Sequence, residues 1–278
     1  MIQKIVKFMQ DSGAMALAWQ RDVDFFKSEL KTDGVYDVVT DVDITITKMF
    51  REFVAREFGD LDYIIADEET IMELGADPFA ELNRHEYVFI IDPLDGTLTY
   101  SNGLQFWGII IGVFKKGQPV AGAVYAPALD TLVYADEKAA YSIEKGEMRE
   151  LKPLPDNVDS PPLIIINSFI TMGSKPDINF KEVQPLQFYS GAVNMLQIAL
   201  NRARGYWFTV HMWDVAGFLM IFKHVGIEVR GINDNKELSI LDSKSYKPTG
   251  MLVNQRYIVS RPKYYDYLKN IAESVTKG

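Results

Sequence analysis

One segment constrains this chain more than any other. The apolar run Tyr87-Val88-Phe89-Ile90-Ile91 passes directly into Asp92-Pro93-Leu94-Asp95-Gly96-Thr97. A short continuous apolar run suits a strand buried on both faces. Pro93 fixes its own φ and Gly96 allows a tight turn, so both carboxylates are expected to converge at one strand end, with the following N–H groups pointing outward. Read alone, Pro-Leu-Asp-Gly is equally well a plain turn. Two acids at the end of an apolar strand repel each other without a cation, and that repulsion favours a metal site.

Other acids stand in comparable places. Glu68 and Glu69 follow the short apolar run Tyr63-Ile64-Ile65-Ala66, Asp37, Asp41 and Asp43 share one stretch, and Asp214 lies in Trp213-Asp214-Val215-Ala216-Gly217. Each taken singly is more simply a solvated acid or, for Asp43 and Asp214, a helix N-cap. Their joint occurrence at the ends of apolar elements is what points to a cluster. The chain has no cysteine and only three histidines, His85, His211 and His224. Carboxylates without thiolates specify a hard cation such as Mg²⁺, Mn²⁺ or Ca²⁺, and the histidines read as structural or surface residues. No Walker loop, dinucleotide fingerprint or nucleophile elbow is present in the sequence.

The remaining chain divides into two strand-rich regions. Residues 2–30 carry helical spacing, and a second helix capped by Asp43 bears Phe50, Phe53, Val54 and Phe58 before Gly59. Residues 71–85 read as an exposed connection, followed by strands at 87–91, 106–114, 118–126, 131–135 and 139–143. A proline-rich linker, residues 153–162, separates an N-terminal half (1–152) carrying most of the acids from a C-terminal half (163–278) carrying Asp214. In the second half the pattern predicts strands at 163–166, 185–189, 205–209 and 251–259, and helices at 191–203, 213–224 and 262–276. Tyr206-Trp207-Phe208 reads as an aromatic strand packed in the core. The net charge of −9 argues against a nucleic-acid polymer as partner. No apolar stretch is long enough to span a bilayer and no signal-peptide layout is seen, so the expectation is a soluble, cytoplasmic protein.

These residues resemble the inositol monophosphatase family, within the magnesium-dependent sugar-phosphate phosphatases that include fructose-1,6-bisphosphatase. The family's D-P-[IL]-D-G-[TS] stands at Asp92 to Thr97, its W-D-x-A-[AG] at Trp213 to Gly217, its Glu-Glu pair at Glu68-Glu69, and its early D-x-V-T-x-x-D at Asp37 to Asp43. The resemblance implies an α+β fold, a layered αβαβα sandwich, and a homodimer. It implies Mg²⁺, two or three ions, with Glu68, Asp92 and the Leu94 carbonyl holding one, and Asp92, Asp95 and Asp214 a second. It implies phosphate on the N–H groups of Gly96 and Thr97, and Thr97 with Asp43 orienting and deprotonating the attacking water, with Glu69 in support. Ser190, Gly191 and Asp214 would line the substrate side.

A small phosphorylated metabolite is the implied substrate. Inositol monophosphate stands first; fructose-1,6-bisphosphate, histidinol phosphate and 3′-phosphoadenosine 5′-phosphate are alternatives with the same chemistry, and a non-catalytic metal-binding member is a further one. The stretch Tyr206 to Met212 departs from the family by holding no acid to read sugar hydroxyls, and Leu98 to Gly103 departs as well. Gln105-Phe106-Trp107-Gly108 leans toward the histidinol-phosphate branch.

Overall fold

Among the described residues the chain forms fourteen strands and eight α-helices. The computed structural model describes residues 1–22, 29–30, 38–39, 41–68, 70–75, 77–166, 178–209, 211–246 and 253–274. The strands are β1 (Glu29–Leu30), β2 (Val38–Val39), β3 (Tyr63–Asp67), β4 (Tyr87–Asp95), β5 (Gly108–Lys115), β6 (Gln118–Ala126), β7 (Thr131–Asp136), β8 (Ala140–Glu144), β9 (Glu147–Leu151), β10 (Leu163–Ile165), β11 (Gln184–Leu186), β12 (Gly205–Phe208), β13 (Glu228–Gly231) and β14 (Tyr257–Ser260). The helices are α1 (Ile2–Asp22), α2 (Asp41–Phe58), α3 (Pro78–Leu82), α4 (Thr97–Ser101), α5 (Gly191–Ala199), α6 (Met212–Ala216), α7 (Phe218–Val225) and α8 (Tyr265–Ser274).

Strands β3 to β9 form a seven-stranded sheet in sequence order, parallel only between β3 and β4. A second sheet runs β11-β10-β12-β14-β13. Side chains alternate across a strand, and this decides the layers. On β4, Phe89 and Ile91 face a core built with α1 and α2, while Val88 and Ile90 face a core built with α5, α6 and α7. On β12, Tyr206 and Phe208 enter that same central core, whereas Trp207 faces α8 through Ile258 and Leu268. The result is helices, sheet, helices, sheet, helix: the αβαβα sandwich expected from the resemblance. The halves on either side of residues 153–162 meet in the central core, and the buried Arg261 guanidinium binds the linker through the carbonyls of Leu154 (3.1 Å) and Pro155 (2.9 Å).

Several expected boundaries shift. The first helix ends at Asp22 rather than continuing to 30, and residues 29–30 pair instead with Val38–Val39. Residues 71–85 are not simply an exposed connection. Asp77 caps α3 by accepting from the Ala80 N–H (3.0 Å), Pro78 opens it, and Ile71, Phe79 and Leu82 are buried. The helix expected at 213–224 is α6 and α7, parted at Gly217. A Cβ at Gly217 would lie 2.8 Å from the Ala123 carbonyl and 2.9 Å from that of Ile111, so glycine lets the chain rest on the sheet backbone here. The helix expected at 191–203 stops at Ala199, and Asn201 adopts a positive φ of 54°. Strand pairing near the C-terminus covers residues 257–260 rather than the whole of 251–259. Strands β9 and β13 were not expected: both are edge strands with alternating charged residues, which carry little apolar signal. Among the described residues no helix is long and apolar enough to cross a membrane.

Candidate metal centre

The parallel register of β3 and β4 pairs Asp67 with Ile91. The next residues, Glu68 and Asp92, therefore leave the same ends of neighbouring strands. Between Asp92 and Asp95 the β4–β5 register is broken, because Pro93 has no N–H to give the ladder. Gly96 then turns with φ +86° into α4. A Cβ there would lie 2.7 Å from the Phe106 carbonyl and 2.9 Å from Ser190 Cβ, so the turn excludes any other residue without displacement. From the other half, the first turn of α6 brings in Asp214, whose carboxylate accepts from the His211 N–H at 2.8 Å.

Asp92, Asp95 and Asp214 each present an oxygen within 4.8 Å of the others. Asp92 is buried, and the other two are partly buried. The Asp92 carboxylate also accepts from the Leu94 N–H (3.1 Å). Asp95 sits at the N-terminus of α5, taking N–H donation from Ala192 (2.8 Å) and Gly191 (3.2 Å) and the hydroxyl hydrogen of Ser190. That hydroxyl at the same time caps α5 by accepting from the Val193 N–H at 3.1 Å. Partial positive charge at a helix start offsets part of the cost of this carboxylate.

Burial pushes the Asp92 carboxyl well above the usual range, and the charges of Asp95, Asp214, Glu68 and Asp43 push it further. Asp214 rises for the same first reason, then through Asp95, with hydrogen bonds from the His211 N–H and from Asp92 acting the other way. Asp95 rises by burial against the pull of its Ser190, Ala192 and Gly191 donors. The charges weighing most on Asp92 are thus all carboxylates. Carboxylates crowded this closely repel one another, and a cation among them relieves that repulsion. Hard oxygen donors of this number and spacing fit Mg²⁺, Mn²⁺ or Ca²⁺.

Glu68 lies beside this group rather than within it, and its charge reaches both Asp92 and Asp214. Asp43 is buried in the first turn of α2, also within electrostatic reach of Asp92. The Thr97 hydroxyl donates to the Leu94 carbonyl at 3.0 Å. Ser190 and Gly191, expected on the substrate side, are engaged with Asp95. Asp37 and Glu69 lie outside the described residues.

The aromatic strand is core, as its pattern predicts. Tyr206, Trp207 and Phe208 are buried, and Asp95 and Asp214 add to the burial that raises the Tyr206 phenol. His85 binds Asp62 (2.7 Å) and His224 binds the Asp136 carbonyl (2.7 Å), both structural. His211 is structural too, as the N-cap residue of α6, half exposed. Its ring stacks on Trp213 at 4.7 Å, with Nδ1 3.9 Å from Asp214 Oδ2, at the edge of the acidic group. Sequence reasoning also missed Ala192 as a partner of Asp95, for which no local signal exists.

The inositol monophosphatase family model matches residues 6–276. A fructose-1,6-bisphosphatase/inositol-1-monophosphatase of Aquifex aeolicus is 28% identical over 215 residues, 72% of this chain and 74% of that protein. Among solved structures, the IMPase of Thermotoga maritima superposes with a TM-score of 0.74 at 22% identity, covering 98% of this chain and 96% of that one. An IMPase/NADP phosphatase complexed with Mg²⁺ and phosphate gives a TM-score of 0.71 at 16% identity, covering 97% and 95%.

Proposed function

Because the chain belongs to the inositol monophosphatase family, and is thereby a phosphoric monoester hydrolase, we propose that it hydrolyses a small phosphate monoester in a Mg²⁺-dependent reaction at the Asp92–Asp95–Asp214 centre. The observation that carries this reading is the convergence of those three carboxylates, the charges weighing most on Asp92 among the described residues being other carboxylates. Glu68, Asp92, Asp95, Asp214 and the Leu94 carbonyl are the oxygens that would hold two or three ions. Bound there, divalent cations supply an activated water and neutralise charge on the phosphoryl and leaving oxygens.

The protein's own residues do the rest. The first N–H groups of α4 have no intrahelical acceptor, and with Gly96 they offer the phosphate oxygens a ready donor set. Asp43 receives the proton of the attacking water through the Thr97 hydroxyl. That hydroxyl has one hydrogen, now given to Leu94 O, so the relay requires it to turn away from that carbonyl. Glu69 supports Asp43 in this reading. Ser190 and Gly191 hold Asp95 in place and border the substrate.

Inositol monophosphate is the first substrate of this reading. Fructose-1,6-bisphosphate, histidinol phosphate and 3′-phosphoadenosine 5′-phosphate follow, since Tyr206 to Met212 carries no acid for sugar hydroxyls and His211 stands there instead. The names of the relatives, which join inositol with fructose-bisphosphate or NADP, support a single chemistry with a variable leaving group. A cytoplasmic homodimer completes the proposal.

The test is phosphate release from those esters with Mg²⁺ and with chelator, for the wild type, Asp92→Asn and Asp95→Asn. Release that requires Mg²⁺ and falls by about 10²–10³-fold in both variants is expected, the scale of losing one preorganised electrostatic contact. Calorimetric Mg²⁺ binding with no release from any ester would instead identify a non-catalytic metal-binding member.

A further inference from the structure

Asp67 is a buried acid that the proposed chemistry does not use. It ends β3, is fully buried, and directly precedes Glu68. A charge so placed is costly unless paired and hydrogen-bonded. Its Oδ2 receives Arg51 Nη2 at 2.5 Å, and its Oδ1 receives the Thr70 N–H at 3.0 Å. The same Arg51 nitrogen donates to the Thr70 hydroxyl at 2.7 Å. One guanidinium, projecting from the middle of α2, thus grips the residues on both sides of the Glu68 turn. Asp67 and Thr70 close that turn by a side-chain-to-backbone bond spanning three residues, the usual device of an aspartate that fixes a loop.

We infer that Arg51 is a positioning residue of the metal centre: through Asp67 and Thr70 it fixes the turn that presents Glu68 to the cation. The inference rests on the reading of Glu68 as a metal ligand. Glu68 stands at the rim of the acidic group, so its contribution depends on its own turn and not on the strand that anchors Asp92. Carboxylates around a cation repel one another, and a ligand on an unbraced loop would swing out toward solvent whenever the cation leaves. The brace keeps it inward at no cost in net charge, because Arg51 and Asp67 cancel. Partners of this kind, one step removed from the ligand, are generally worth 10–100-fold in metal affinity.

The test is calorimetric titration of Mg²⁺ into chelator-stripped protein, with circular dichroism and thermal melting on each variant. Arg51→Met and Thr70→Val should each weaken Mg²⁺ binding by about tenfold. Thr70→Ser, which keeps the hydroxyl, should bind as the wild type does. In a Glu68→Gln background Arg51→Met should cause no further loss, since the brace acts through Glu68; a merely structural role would give additive losses. Wild-type Mg²⁺ affinity in folded Arg51→Met, or additive losses in the double variant, would overturn the inference. If Arg51→Met does not fold, the contrast between Thr70→Val and Thr70→Ser decides, and equal affinity in that pair overturns it. Unchanged affinity in Glu68→Gln alone would overturn it through its premise, a failure of the ligand reading and not of the brace.

Discussion

Stripped of divalent cation, the protein should lose stability as pH rises, and Mg²⁺ should remove that slope. The folded carboxyls of Asp92 and Asp214 are pushed well above their ordinary value, and that of Asp95 is raised, first by burial in each case. In the unfolded chain these groups titrate near pH 4. Between the unfolded and folded values the native state therefore holds more protons than the unfolded one. Stability then changes with pH as 2.303RT times the unfolded-minus-native proton count, which is negative here. Their contribution is fully present at and below the unfolded value and is lost as pH climbs through the folded values. Each carboxyl that stays protonated in the native state while its unfolded counterpart is ionised contributes about 1.4 kcal/mol per pH unit. Against a typical folding free energy of about 5–15 kcal/mol, a slope of that size is measurable. The lowered acids Glu57, Asp62, Asp159 and Asp234 have the opposite sign, but they act below the ordinary carboxylate range and lie at the surface, where solvent screens them. Bound Mg²⁺ compensates the charges, favours the ionised carboxylates and flattens the slope, so its stabilising effect should grow with pH. Urea unfolding followed by tryptophan fluorescence, from about pH 5 to about pH 8, with chelator and with Mg²⁺, measures both curves. Parallel curves, or a metal-free curve that rises across this window, would refute the reasoning.

Two substitutions probe the walls of the site. Gly96→Ala places a Cβ 2.7 Å from the Phe106 carbonyl at φ +86°; we expect about 1–2 kcal/mol of backbone strain and weaker inhibition by inorganic phosphate, and a wild-type melting point with unchanged inhibition would contradict this. Ser190→Ala removes both the donor to Asp95 and the cap of α5, so thermal unfolding should show a loss of about 1 kcal/mol and calorimetry a weaker Mg²⁺ affinity, while Ser190→Thr keeps both; unaltered affinity in the alanine variant would count against the role given to Ser190.

How much of this was legible in the sequence depended on how local the cause was. The turn from β4 into α4 could be read because its causes lie within eleven residues, Tyr87 to Thr97: apolar run, fixed φ, flexible glycine. The layers came only from the resemblance: the unbroken apolar run of β4 and the all-aromatic Tyr206-Trp207-Phe208 signalled burial without saying which side chain faces which core. The family motifs then named Glu68, Asp95 and Asp214 without showing how they meet. What escaped were contacts set by packing between elements distant in the chain. Asp95 finds the N-terminus of α5 nearly a hundred residues later, and Arg51 finds Asp67 only when α2 packs on the sheet against β4, the neighbour of β3. Helix α3 escaped because it is only five residues long and its buried Phe79 and Leu82 stand in a mixed stretch with no sustained period, and β9 and β13 because edge strands carry charge. Asp37 and Glu69 lie outside the described residues and bear on none of this.

The escaped contacts share one physical origin. Each acid of the centre is costly where it sits, and each is met by a different piece of backbone: Asp92 by the N–H of Leu94, Asp95 by the start of α5, Asp214 by the N–H before α6. Those donors hold the oxygens in position without neutralising them, since an N–H brings no formal charge. Arg51 is the exception, and its charge is spent on Asp67, one residue away from the centre, where it braces the turn and leaves the ligand oxygens available. A site built to hold a cation needs this separation. A lysine or arginine placed against Asp92 would stabilise the empty protein by the same interaction that the metal must then displace.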